Sequence, residues 1–116
     1  MKVKKRPGGR VKKKTPAIAE SVFLRAVMEI ALDGGWLVFH DEDSRKNRPG
    51  FPDLVMAREG RTIFAELKSQ RGRIRPEQQR WLDELAKAPG AEVYLWRPSD
   101  LDSIVQMLMG HLLVTH

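Results

Sequence analysis

Residues 52–68 read PDLVMAREGRTIFAELK, and this stretch decides the fold. Leu54 to Ala57 and Thr62 to Lys68 are strand-forming runs, and Arg58-Glu59-Gly60-Arg61 between them suits a hairpin turn containing glycine. A hairpin brings the start of its first strand, Pro52-Asp53, beside the end of its second, Glu66-Leu67-Lys68. Glu66 and Lys68 are two apart, so their side chains leave the same face of the strand. Asp53 on the neighbouring strand can join them. Two carboxylates and one amine then converge at the sheet edge.

The segments on either side complete an architecture. Upstream, Thr15-Pro16 has the chemistry of a helix N-cap and first helical residue. Ile18, Val22, Ala26, Val27, Ile30 and Ala31 then recur near helical spacing, and Gly34-Gly35 ends the helix. Trp36 to His40 is a short β-type run, and Asp41 to Gly50 is a polar loop. Downstream, Ser69 to Arg75 is an arginine-rich loop. Pro76 opens a second helix with Leu82, Leu85 and Ala86 as its buried stripe beside Trp81, and Pro89-Gly90 closes it. Glu92 to Trp96 is a fourth strand. Ser99 with Asp102 resembles a capping box for a last helix running to about Gly110. This order predicts a mixed α/β fold with helices packed on a four-stranded sheet.

Composition bounds the function. The 116 residues are 41% hydrophobic and 31% charged, which fits one small domain. No run approaches the length a membrane span needs, and the basic N-terminus lacks the apolar stretch of a signal peptide. With no cysteine, neither a disulfide framework nor a thiolate metal site is available, and His40, His111 and His116 are too scattered for a zinc cluster. The expectation is a soluble, cytoplasmic protein.

The net charge of +6 is unevenly placed. Residues 1–14 hold eight of the 21 basic side chains and no acidic one, leaving 13 basic against 15 acidic residues in the body. Such a block reads as a disordered basic arm, with 15–116 as a single domain. Lys12, Lys13 and Lys14 would then follow a phosphate backbone, although a solubilising leader or a localisation signal has the same composition. From Arg45 to Arg80 ten basic residues face four acidic ones. Polyanion binding explains those arginines but not the carboxylates among them.

Carboxylates beside a lysine suit phosphodiester hydrolysis. Hard divalent cations such as magnesium take oxygen ligands, so two carboxylates and a backbone carbonyl suffice. A lysine at the same place can orient water and stabilise charge developing on phosphate. The alternative is a surface ion pair between Glu66 and Lys68 contributing only ~0–1 kcal/mol.

Gly50-Phe51-Pro52-Asp53-Leu54-Val55, Glu66-Leu67-Lys68, Pro76-Glu77-Gln78-Gln79-Arg80-Trp81 and Trp96-Arg97-Pro98 together resemble the virus-type replication-repair nuclease (VRR-NUC) family of the PD-(D/E)-X-K superfamily. His40-Asp41 and Ser44-Arg45 resemble the loop of its small members, and the likeness runs from about Ala17 to Met109. It implies a restriction-endonuclease-like αβββαβ core. It further implies that Asp53, Glu66 and the Leu67 carbonyl bind Mg2+ or Mn2+, that Lys68 positions the attacking water, and that Gln78 braces the lysine or contacts phosphate. Glu20 would reach the metal from the first helix through water, or else be an exposed helix residue.

Arg45, Arg71, Arg73 and Arg75 are candidate phosphate contacts. His40 is either a strand-end hydrogen bonder or a group touching the phosphate. Trp36, Trp81 and Trp96 read as core or interface, and Met107, Leu108, Leu112 and Leu113 as core or dimer contact. The resemblance implies a homodimeric, junction-resolving DNA endonuclease, phage-encoded in a bacterial host, with no membrane or small-molecule cofactor. A less selective nuclease on linear duplex or flaps and a non-catalytic DNA-binding protein are the other readings.

Overall fold

The computed structural model describes residues 18–40 and 49–112. Lys12, Lys13, Lys14, the Thr15-Pro16 cap, the Asp41–Ser44 motif residues, Arg45 and Leu113 lie outside the described residues. The elements are α1 (Glu20–Asp33), β1 (Leu37–His40), β2 (Leu54–Arg58), β3 (Arg61–Leu67), α2 (Pro76–Leu85), β4 (Ala91–Trp96) and α3 (Leu101–Met109). Their order is the predicted one. Among the described residues no helix is long and apolar enough to cross a membrane.

The strands form one mixed sheet in the order β1-β2-β3-β4. β1 with β2 and β2 with β3 are antiparallel, and β3 with β4 is parallel because α2 carries the chain back between them. Glu59 (φ 50°) and Gly60 (φ 79°) both adopt left-handed backbone between the paired residues Arg58 and Arg61. That is the two-residue turn whose twist matches a hairpin.

One face of the sheet presents Leu54, Met56, Ile63, Ala65 and Leu67, all fully buried. Phe23, Val27 and Ala31 of α1 and Ile104 and Leu108 of α3 close over them, each large side chain contributing roughly 1.5–3 kcal/mol of burial. Trp36 joins this layer and donates its Nε1–H to the Leu108 carbonyl at 2.9 Å, tying the start of β1 to the end of α3.

Three local expectations need correction. The described helix α1 begins at Glu20 with Ala19 as N-cap, so Ile18 precedes it, and both Ile18 and Val22 are exposed. The inward stripe is Phe23–Val27–Ala31 at four-residue spacing, because apolar residues on several sides made two stripes equally periodic. On α2 the buried pair is Gln78 and Leu82, with Trp81 and Leu85 half-buried and Ala86 exposed just past the helix end. The last helix starts at Leu101 after Asp100, with no side-chain cap, rather than behind a Ser99 cap; Asp100 Oδ2 instead accepts the Arg97 N–H at 2.8 Å across a 3-10 turn over Pro98–Asp100.

Candidate active site

The hairpin register pairs Leu54 with Ala65, so Asp53 and Glu66 face each other at its open end. Here the chain approaches over α2. Gly50 has φ +90°, and a Cβ on it would lie 2.6 Å from the Glu77 carbonyl oxygen. The next residue, Phe51, packs edge-on against Trp81 of α2 (5.0 Å between centroids) and Phe64 of β3 (6.3 Å). Glycine allows the close pass and phenylalanine anchors it, which delivers Asp53 to the mouth of the hairpin. Gly50→Ala is expected to destabilise the protein by about 1–3 kcal/mol, through overlap with backbone and unfavourable φ, as read by urea unfolding.

At the mouth, Asp53 Oδ2 accepts the Leu67 N–H at 2.9 Å. A residue's N–H and C=O leave the same edge of a strand, so the Leu67 carbonyl also lies on the Asp53 side. Glu66 is only 2% exposed, Lys68 6% and Gln78 7%. Lys68 Nζ lies 3.8 Å from Glu66 Oε2, and Gln78 Nε2 donates to that same oxygen at 2.8 Å. Gln78 Oε1 in turn accepts the Arg75 N–H at 2.8 Å, so its amide is oriented from both ends. Gln78 therefore meets the glutamate rather than the lysine, while Gln79 is exposed and bonded to Asp83.

Glu66 Oε1 is buried with no hydrogen-bond partner among the described residues. Desolvation, then the charge of Asp53, pushes the Glu66 carboxyl up to about 8, against the pull of Lys68; Glu20 adds to the repulsion. Asp53 is also raised, by burial, despite the Leu67 N–H and the nearby His40 and Lys68. Two repelling carboxyls with an orphaned oxygen form a donor set that a hard cation would satisfy. Among the described residues no third histidine, aspartate or glutamate completes a ligand cluster, so such an ion would draw on Asp53, Glu66 and backbone oxygen.

The remaining candidates are less closely placed. Glu20 is exposed in the first turn of α1, within electrostatic reach of Glu66. Arg71, Arg73 and Arg75 are exposed on the loop after Lys68, with Arg75 3.7 Å from Glu77. Trp36 and Trp96 are core, Trp81 is half-buried, Leu108 is core and Leu112 is exposed. Sequence reading missed a tie between Arg97 and the loop after Lys68. Its only signal was Arg97 standing directly after the fourth strand.

The VRR-NUC domain model matches residues 20–99. Among solved structures, a protein titled "VRR_NUC domain protein" superposes with a TM-score of 0.62 at 18% identity, covering 82% of this chain and 91% of that one. A second, titled "VRR_NUC domain", gives 0.60 at 22% identity, covering 75% and 94%. These likenesses establish a shared fold. No curated protein matches the chain. A family match over most of the chain, on a sheet that brings Asp53, Glu66 and Lys68 together, means that the chain belongs to the VRR-NUC domain family, nucleases of the PD-(D/E)-X-K type that act on DNA and generally use divalent metals.

Proposed function

We propose that this nuclease is a divalent-metal-dependent endodeoxyribonuclease selective for branched DNA, acting as a homodimer on four-way junctions in replication, recombination or repair. The carrying observation is the Asp53–Glu66 pair beside Lys68, with Glu66 buried and its Oε1 unpartnered among the described residues. Asp53, Glu66 and the Leu67 carbonyl would hold Mg2+ or Mn2+. Such an ion, when bound, polarises a phosphoryl oxygen and acidifies a water ligand.

The chain's own groups do the rest. Lys68 orients the attacking water and stabilises charge on the phosphate. Gln78 fixes the direction of the Glu66 carboxylate, and Glu20 acts from α1 through water. Arg71, Arg73 and Arg75 contact phosphates close to the site. Arg45 and the arm residues Lys12, Lys13 and Lys14 extend that contact, with 15–116 as the single nuclease domain. β1 supports the dimer: it is an edge strand whose Leu37 and Phe39 are exposed, a surface that a second copy would cover. The cytoplasm of a bacterial host, with the chain phage-encoded, is the setting this reading favours.

The test is cleavage of a four-way junction, a flap and a linear duplex of matched sequence, in Mg2+ or Mn2+ and in chelator. Paired, symmetric cuts in the junction, abolished by chelator and by Asp53→Asn, are expected. Equal cutting of all three would keep the nuclease and remove the branched-DNA selectivity. Binding without any metal-dependent cutting would instead favour a DNA-binding module.

A further inference from the structure

The loop that follows Lys68 has little to hold it by composition. Ser69 to Arg75 is polar and carries three exposed arginines that repel one another. Its order comes from the end of the adjacent strand, β4. Arg97 directly follows β4, and its Nη1 donates to the carbonyls of Ser69 (2.8 Å), Gly72 (2.8 Å) and Gln70 (3.3 Å). The Gly72 N–H closes the same turn onto Ser69 O at 3.1 Å, so one guanidinium nitrogen gathers the carbonyls of the turn. A second tie lies alongside: Gln70 Nε2 donates to Ser99 Oγ at 3.0 Å, and the Ser99 N–H returns to Gln70 Oε1 at 2.9 Å. Arg97 is itself fixed, since Asp100 accepts its backbone N–H.

This turn bears on Lys68. The Lys68 N–H donates to Trp96 O at 3.0 Å, which locks its backbone to the residue before Arg97. The turn then folds back over the lysine stem: a Cβ on Gly72 would sit 3.7 Å from Lys68 Cδ and 2.8 Å from Ser69 Oγ. The direction of the Lys68 side chain is therefore set from one side by Glu66 and from the other by a turn that Arg97 holds.

We propose that Arg97 is a positioning residue for cleavage, acting through the Ser69–Gly72 turn to hold Lys68 beside Glu66, with Gln70 and Ser99 as an auxiliary tie. This rests on the role given above to Lys68. Small displacements of a reacting group are enough to slow a reaction strongly, so the effect appears in kcat rather than in DNA affinity.

The test is steady-state cleavage, in Mg2+, of whichever DNA the wild type cuts, by Arg97→Ala, Lys68→Ala and the double variant. Arg97→Ala is expected to lower kcat about 10- to 100-fold with KM and the salt dependence of DNA binding unchanged. The double variant should lose no more than Lys68→Ala alone, because the two act as one unit. Gln70→Ala, at an exposed position, should show the same pattern at about threefold to tenfold, and it decides the matter should Arg97→Ala fail to fold. A raised KM with a shallower salt slope and unchanged kcat would make Arg97 a DNA contact and overturn the proposal. So would losses that multiply in the double variant, or wild-type kcat in Gln70→Ala when Arg97→Ala does not fold. A wild type that cuts no DNA overturns the nuclease reading itself, a different result from an active wild type matched by Arg97→Ala.

Discussion

Replacing Lys68 by alanine is expected to lower the rate of DNA cleavage about 10²–10³-fold while leaving DNA binding within a few-fold of wild type. The asymmetry follows from where the lysine sits. Lys68 is 6% exposed and lies against Glu66, whereas Arg71, Arg73 and Arg75 are exposed on the adjoining loop. Removing one buried amine changes the electrostatic surface little, so ground-state attraction to phosphate survives. What is lost is a donor aimed at charge that develops only during reaction, and such a loss lowers kcat and kcat/KM together. Single-turnover cleavage and a binding titration in chelator, on the same DNA, separate the two quantities. Retention of more than about a tenth of the wild-type rate would remove Lys68 from the chemistry.

The second large effect is a stability that falls as pH rises. Folding pushes the Glu66 carboxyl from 4.5 up to about 8, and Asp53 moves in the same direction. Between those two values the folded protein holds a proton that the unfolded chain has released, so raising the pH favours unfolding. Without metal, the Glu66 contribution should vanish below pH 4.5 and grow to its full cost by about pH 8. Glu66→Gln, which keeps the shape and can still accept from Gln78, removes that cost. It is expected to stabilise the protein at pH 8 by on the order of 2–5 kcal/mol and to change little at pH 4. Denaturant unfolding in chelator across pH 4–9 reads the difference directly. Mg2+ or Mn2+ should stabilise the wild type more at pH 8 than at pH 5, because the ion competes with a proton for the same oxygens. The variant should lose most of that response. A wild-type profile that parallels the variant's at every pH would dismiss the buried Glu66 carboxyl as the cause.

The carboxylates were legible in the sequence because the geometry linking them is short. Asp53 and Glu66 belong to one hairpin, its turn is marked by Gly60, and alternation alone puts Glu66 and Lys68 on one face. The succession of elements, with a helix between the third and fourth strands, followed from the same local signals, whereas the parallel pairing of β3 with β4 emerged only in the folded sheet. The face of α1 was not legible, because Val22, Phe23, Leu24 and Leu32 point to different sides of the helix and periodicity cannot choose among them without knowing where the sheet lies. The direction of Gln78 was half legible: the family resemblance implied a place at the site, but its partner was set by how deeply Glu66 is buried. The partners of Arg97 had no local signature. One side chain meets backbone carbonyls 25–28 residues upstream, and carbonyls are present at every position, so no residue pattern marks them.

The turn at Glu59-Gly60 is at the opposite end of the hairpin from the acids, yet it decides whether they meet at all. Sides alternate with every residue, so the encounter of Asp53 with Glu66 is a matter of parity. A turn that shifted β2 by one residue against a fixed β3 would turn the whole strand over, carrying Asp53 toward the face held by α1 and α3 and Leu54 and Met56 away from it. Every acid and lysine would remain in the sequence, and the site would be gone. A slip of two would restore the side but displace the acid by about 7 Å along the strand, further than a single cation can span. The hairpin thus works as a reading frame in three dimensions: its side chains can change one by one, but its register cannot.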